Sequence, residues 1–410
     1  LKPLRRPNLC NSIFLRCTST SAATRKYRKF IAGSAVLSTS ALAYYVYQRR
    51  SLSKTLKSAW DVGSADHVNE LKSDARLRGE QWQVTKRITN RSAYEANFGE
   101  LTLYQFSSCP FCCKVRAYLD YYGIDYDIVE VDPLSKSQID WSHYKKVPIL
   151  VVEDAELPLN DSSLIISVLE AKRRNLNADI GACLSRFPVH IDEFKNGNRK
   201  YSYENVYSVP GFATEQDEVL FCEWVDKALI PSIGLSVYDT LLNSVNTFKY
   251  FARSGDWPNT LGGQMRSSLV VYSGAIVMCM VSKMRNKRPE TPKPPVVFEQ
   301  LCNRLKLTPS GFISAQSSPG LADLSAFGSF KSIEGCKAFQ KLLEADQTFK
   351  TWYQTMDTLV NTNAGSPNEP QRRQIEPESH GESDPPMLLT LLAFSVVKFL
   401  ELAVVSSSSI

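Results

Sequence analysis

Cys109-Pro110-Phe111-Cys112 is the one place in this sequence where residue types and spacing make a reactive centre plain. Two thiols separated by two residues can exchange a disulfide with each other. A proline between them at the first helical position fixes the backbone of a helix start. The first four amides of a helix have no internal acceptor and carry partial positive charge, so a sulfur just before them is held as thiolate. Cys109 sits where that field is strongest, and Cys112 lies in the first turn, within reach to resolve a mixed disulfide. Zinc is the competing use of such a pair. A single pair, with no second one and no suitable His, supports it poorly. Cys113 points about 100° away around the helix, which makes it a core-facing or idle thiol.

The flanking sequence supplies the elements that must hold this centre. Leu101 to Phe106 alternates as a strand, Pro110 opens a helix that runs to about Tyr122 and stops at Gly123, and Tyr126 to Val131 is a second strand. Ser135 to Trp141 reads as a short helix, and Val147-Pro148 opens a third strand through Val152. Asp161-Ser162-Ser163 caps a helix to about Arg174. This β-α-β-α-β-α order is thioredoxin-like. In that fold a cis proline opens the third strand, and the residue before it, here Val147, offers free backbone groups to a peptide. The amides after Asp161 suit a carboxylate and the Asp161 side chain suits an ammonium group. Together these match the γ-glutamyl end of glutathione. His143 has the look of a loop histidine, and no histidine is placed as a catalytic base.

Composition bounds the rest. The 410 residues carry 48 Lys or Arg and 42 Asp or Glu. Residues 1–60 hold twelve of the basic groups and no acid, so the remainder is mildly acidic and carries no nucleic-acid footprint. Ten cysteines in irregular spacing do not make a disulfide scaffold. The organisation expected is a basic leader at 1–29, a transmembrane anchor at 30–47 with basic flanks, and a linker with some helix at 48–99. A cleaved mitochondrial presequence and a secretory signal compete for the leader. A thioredoxin-like domain at 100–175 and an irregular connector at 176–212 follow. A helical domain at 213–360 has helices near 215–230, 238–254, 264–285, 296–306, 321–332 and 336–360, the last broken. Asn286 to Pro295 is a loop. Residues 361–410 form a disordered tail ending in an apolar segment at 387–405.

The stretches LYQFSSCPFCCKVRAYLDYYGIDYDIVEV and YKKVPILVVEDAELPLNDSSLIISVL, with LIPSIGLSVYDT, FKYFARSGD and Gly320-Leu321-Ala322-Asp323-Leu324 further on, resemble the membrane-associated prostaglandin E synthase type 2 family. The resemblance covers about residues 100–360. It implies an α+β protein: a glutaredoxin-type thioredoxin-like domain, an all-helical domain of the glutathione-transferase type, and a membrane anchor. It implies isomerisation of prostaglandin H2 to E2 with Cys109 as the catalytic thiol and Cys112 beside it. Glutathione would be bound by Val147, Pro148, Asp161 and Ser162, and Phe106 and Phe111 would line the pocket for prostaglandin H2 or another small lipid peroxide. It also implies haem held through the glutathione sulfur, a homodimer, and a Golgi membrane with the soluble part towards the cytosol, the mitochondrion being the alternative. Glutathione-dependent thiol–disulfide exchange or transfer, and a non-enzymatic membrane-tethered haem or redox module, are the competing functions. One departure stands out. The family typically has Tyr three residues before its first Cys, where this sequence has Phe106, and the hydrogen bond lost is worth about 0.5–1.5 kcal/mol.

Overall fold

The computed structural model describes residues 56–62, 64–78, 84–90, 98–195, 197–208 and 216–367. The segment expected as an anchor at 30–47 and the tail from 368 onward lie outside the described residues.

The elements in chain order begin with β1 (Leu56–Val62), α1 (Ser64–Arg76) and β2 (Lys86–Ile88). Next come β3 (Leu101–Gln105), α2 (Pro110–Tyr121), β4 (Tyr126–Glu130), a 3-10 turn at Ser137–Ile139, β5 (Ile149–Val152), β6 (Leu157–Asn160) and α3 (Ser162–Arg174). β3 pairs parallel to β4 and antiparallel to β5, and β6 pairs antiparallel to β5, giving the sheet order β2-β4-β3-β5-β6. The thioredoxin-like layout therefore carries two strands more than expected, β2 and β6. β6 escapes a sequence reading because it has four residues, one of them Pro158.

All four residues of β5 and of β6 are buried, so both faces of this sheet need a cover. On one face Leu103, Leu150, Leu157 and Leu159 pack with Val115 of α2 and Ile165 of α3. On the other, Tyr104, Ile149 and Val151 pack with Val189, Ile191 and Tyr201. Those last three belong to β7 (Val189–Phe194) and β8 (Arg199–Tyr203), which follow a short helix α4 (Ile180–Leu184). β7 pairs with β1 and with β8, making a second, three-stranded sheet. This corrects two expectations. Among the described residues, the expected linker with some helix at 48–99 also contains strands β1 and β2, and the expected irregular connector at 176–212 contains α4, β7 and β8: β1, β7 and β8 build the layer that closes the second face. Asp74 of α1 fastens this layer, accepting from the His143 amide at 3.0 Å and meeting its Nδ1 at 2.6 Å.

The helical region opens with α5 (Gln216–Trp224), a π-helical turn at Val225–Leu229 and α6 (Ile230–Val237). The helix expected to stop near 230 thus continues to Val237. Pro231 lacks an amide and its ring crowds the carbonyl four residues back, and the wider π turn precedes it. Then follow α7 (Leu241–Ser254), α8 (Trp257–Thr260), α9 (Gln264–Asn286), α10 (Pro294–Leu307), α11 (Leu321–Lys331), α12 (Lys337–Ala345) and α13 (Gln347–Asn361). The break expected near the end is the Asp346 cap, whose side chain accepts from the Thr348 and Phe349 amides. Among the described residues α9 alone is long and apolar enough to cross a membrane, and 56% of its apolar window is buried inside the protein, as in a core helix.

The start of α11 shows how the helical layer is tied together. Asp323 accepts from the Gly320 amide at 3.3 Å, from the Ile313 and Ser314 amides at 2.7 and 3.0 Å, and from Trp352 Nε1 at 3.0 Å. Gly320 has no side chain to cap with. Glu218 of α5 takes that part, accepting from the Leu321 amide at 2.6 Å. A Cβ at Gly320 would overlap the Glu218 carboxylate, so glycine here makes room for a cap supplied by another helix.

Candidate active site

Strand register gathers the expected residues at one edge. Tyr104 is opposite Ile149, and Ile149 is opposite Asn160. One step further along each strand lie Gln105 and Phe106, Val147 and Pro148, and Asp161. The reactive loop, the proline turn and the start of α3 therefore end side by side. Val147-Pro148 is cis, as the fold required. Cys112, Val147 and Tyr144 are buried in one apolar cluster, and Phe106 and Cys109 pack against it. Phe111 stands at the rim, 36% exposed.

The three neighbouring thiols have different characters. Cys109 is half-buried at the N-cap of α2 with extended backbone, and Pro110 follows at the first helical position. A hydrogen bond from the Cys112 thiol, then the Cys112 and Phe111 amides and the nearby Arg116 charge, hold Cys109 below the ordinary thiol value against the cost of burial. Burial and the bond to Cys109 push Cys112 well above it. Burial pushes Cys113 up to about 11; its thiol donates to the Ser107 carbonyl at 3.3 Å. Of the three, Cys109 is the thiol most easily ionised, and burial keeps Cys112 and Cys113 the harder ones to ionise.

The glutathione side is built from backbone. Among the described residues no hydrogen bond engages the Val147 amide or carbonyl, so both remain available to a peptide. Asp161 adopts a left-handed φ of 69°, a strained conformation for a side-chain-bearing residue and one that clusters at ligand clamps. Its carboxylate accepts from the Ser163 amide at 2.9 Å, and Ser162 begins the helix. These groups fit the γ-glutamyl end and the cysteinyl backbone of glutathione. No cluster of His, Cys, Asp or Glu suited to a metal ion occurs among the described residues.

Two buried polar networks went unseen in the sequence. Lys114 of α2, fully buried, donates to Asp226 Oδ1 at 2.7 Å, to the Tyr207 hydroxyl at 2.7 Å and to Ser163 Oγ at 3.3 Å. Ser163 and Tyr207 each donate to Asp226 Oδ2 at 2.7 Å. This joins the reactive helix, the start of α3 and the π turn of the helical region. The second network lies under the reactive loop. Glu130, at the end of β4, accepts from the Ser107 amide at 2.7 Å, the Ser107 hydroxyl at 2.8 Å and Gln105 Nε2 at 3.2 Å. Arg116 donates to Gln105 Oε1, the Ser107 carbonyl and Cys113 Sγ at 2.7, 2.8 and 3.0 Å. The one signal available was a charge in an otherwise apolar strand or helix face, which ordinarily marks the solvent side.

Residues 103–176 match the glutathione S-transferase N-terminal domain family. Prostaglandin E synthase 2 of Danio rerio is 32% identical over 276 residues, 63% of this chain and 70% of that protein. The chain belongs to the prostaglandin E synthase 2 family. The Mus musculus protein of the same name is 29% identical over 290 residues, 65% of this chain and 71% of its own length. Among solved structures, human glutathione transferase theta-2, in complex with glutathione and an unknown ligand, superposes with a TM-score of 0.37 at 14% identity. The match covers 75% of this chain and 91% of that one. As a prostaglandin E synthase 2 relative, the chain has a thioredoxin-like domain with a helical region after it, an α+β fold.

Proposed function

We propose that this protein isomerises prostaglandin H2 to prostaglandin E2 with Cys109 as the catalytic thiol. The observation that carries the reading is the lowered Cys109 thiol at the start of α2, in a chain of the prostaglandin E synthase 2 family. The thiolate attacks one endoperoxide oxygen; the S–O bond forms, the O–O bond breaks and the second oxygen takes a proton. Loss of the proton from the carbon bearing the first oxygen then makes the ketone. The S–O electron pair returns to sulfur, so atoms and electrons balance with no external oxidant. The helix amides and the Cys112 thiol stabilise sulfur as an anion at the start and end of the cycle. Phe106 and Phe111 offer apolar surface to the lipid.

Glutathione, when bound, supplies a second thiol beside Cys109. Val147 would pair with its backbone through the free amide and carbonyl, and Asp161 and Ser162 would hold its γ-glutamyl end. Haem would be held through the glutathione sulfur, so no residue of this chain is assigned to its iron and no step passes through it. Membrane attachment, at the Golgi or the mitochondrion, and assembly as a homodimer belong to the same family reading. Incubating the full chain with prostaglandin H2 and resolving the products tests it: prostaglandin E2 above the spontaneous level is expected, and the spontaneous mixture alone refutes it.

A second reading, glutathione-dependent disulfide exchange, draws on Cys112 as a second thiol beside Cys109: isomerisation uses Cys112 only as a hydrogen-bond donor, whereas exchange would form a disulfide with it.

A further inference from the structure

Cys109 is delivered by four residues, Phe106 to Cys109, that lie between β3 and α2. Within that loop the Cys109 amide donates back to the Phe106 carbonyl at 3.0 Å. Ser107, in the middle, is held at every polar atom. Its amide and hydroxyl both donate to Glu130, and its carbonyl accepts from Arg116 and from the Cys113 thiol. The loop has no other anchor of comparable strength: Phe106 contributes apolar packing and Ser108 takes no side-chain hydrogen bond among the described residues.

Glu130 is an unusual anchor. It is 6% exposed, and burial pushes its carboxyl up to about 7 against the Ser107 bonds, the Arg116 charge and the Gln105 bond that hold it down. The groups that face it come from several elements. Arg116 and Cys113 stand on α2, and Gln105 and Ser107 at the end of β3. Thr85, ahead of β2, accepts from the Glu130 amide at 3.0 Å. From the helical region, a Cβ placed on Gly255 would lie 3.1 Å from Glu130 Oε1 and 2.8 Å from Trp257 Nε1, so the turn before α8 closes over the carboxyl. Lys331 of α11 and Tyr126 of β4 lie further out and act on Cys113 and Arg116.

Ionised, the carboxyl is an acceptor only and takes all three donors. Protonated, it must itself donate, and the Ser107 hydroxyl has to turn to receive it. The bonds that remain are between neutral groups and roughly half as strong. We propose that Glu130 is a positioning residue for Cys109. Its carboxylate, clamped on the Ser107 amide and hydroxyl and balanced by Arg116, fixes the loop that presents the thiolate, so Cys109 reactivity follows the ionisation of a buried acid as well as that of the thiol. The inference rests on the reading of Cys109 as the nucleophile.

The test is the rate at which iodoacetamide alkylates Cys109 in the full chain, followed by mass mapping across the neutral range. The wild type is expected to show two inflections, one from the thiol and one at about 7 from Glu130. Glu130→Gln is expected to lose it and to react about tenfold more slowly above neutrality. Glu130→Asp keeps a titrating group and should restore the inflection. Ser107→Ala removes a bond that favours the charged form, so its inflection should move to higher pH, which a merely structural role would not produce. A wild-type profile that follows the thiol alone overturns the proposal. So does a Glu130→Gln profile with both inflections and the wild-type rate. If Glu130→Gln does not fold, an unmoved inflection in Ser107→Ala overturns it. Failure of the parent reading looks different: prostaglandin E2 formation would persist in Cys109→Ser while the alkylation profile kept its dependence on Glu130.

Discussion

Gly328 of α11 and Lys114 of α2 meet backbone to backbone. A Cβ on Gly328 would stand 2.6 Å from the Lys114 Cα and 2.5 Å from the Cys113 carbonyl oxygen. Neither atom can rotate away, so the helical region rests directly on the helix that carries the reactive cysteines. Gly328→Ala should gain at most about 1 kcal/mol of helix propensity. It should lose about 1–3 kcal/mol to overpacking. Net destabilisation in urea unfolding, with slower Cys109 alkylation, is the expected result; a more stable variant would show that the two helices separate at no cost.

Lys114 reaches Asp226 a short distance from that contact, and its ammonium is fully buried. Removing one partner leaves a buried charge, so Asp226→Leu should cost about 3–5 kcal/mol. Replacing both, as Lys114→Met with Asp226→Leu, should recover most of that loss. Unfolding of the four proteins in a double-mutant cycle measures the difference, and additive losses would mean that the pair is not coupled.

How far the sequence disclosed these features depended on whether a residue obeyed its local rule. CPFC at a helix start, the proline before β5 and the Asp161 cap were legible because each pattern has a backbone cause. Most helices from α5 to α13 were legible by period, but not α6, which continues past Pro231, nor α8, which has only four residues. β6 was hidden by its length and Pro158. β7 and β8 carry charged residues such as Asp192, Glu193, Arg199 and Lys200 among their buried ones, which disguises strands that close a sheet face. Glu130 and Lys114 were missed because their compensating partners, Ser107, Arg116, Asp226 and Tyr207, come from other elements, and no single-sequence pattern joins them.

Glu130 also leaves a signature on stability. Its folded value of about 7 lies above the ordinary 4.5. Between those values the folded chain binds more protons than the unfolded one, so stability is full below the lower value and falls as pH rises through the upper. The loss amounts to about 3 kcal/mol, at about 1.4 kcal/mol for each pH unit between the two values. Glu130→Gln should flatten that part of the curve in denaturant unfolding; an unchanged slope would place the titration elsewhere. The form that holds the reactive loop is thus the less stable one, a cost often met at functional sites.

Cys112 separates the two chemistries proposed for the site. Cys112→Ala removes the thiol that donates to Cys109, so the Cys109 titration should move up by about one pH unit, the size expected for one hydrogen bond to a charged group. Prostaglandin E2 formation at alkaline pH should survive, and reduction of a protein disulfide through the Cys109–Cys112 pair should not. Loss of both activities together would mean that Cys112 serves the isomerase step itself.

The central claim is that the Cys109 thiolate opens the endoperoxide. Its most direct test is the initial rate of prostaglandin E2 formation by the wild type and by Cys109→Ser, with glutathione present, both proteins shown to be folded. The expected result is enzymatic formation in the wild type and only the spontaneous rate in the variant. Full activity in Cys109→Ser would contradict the account.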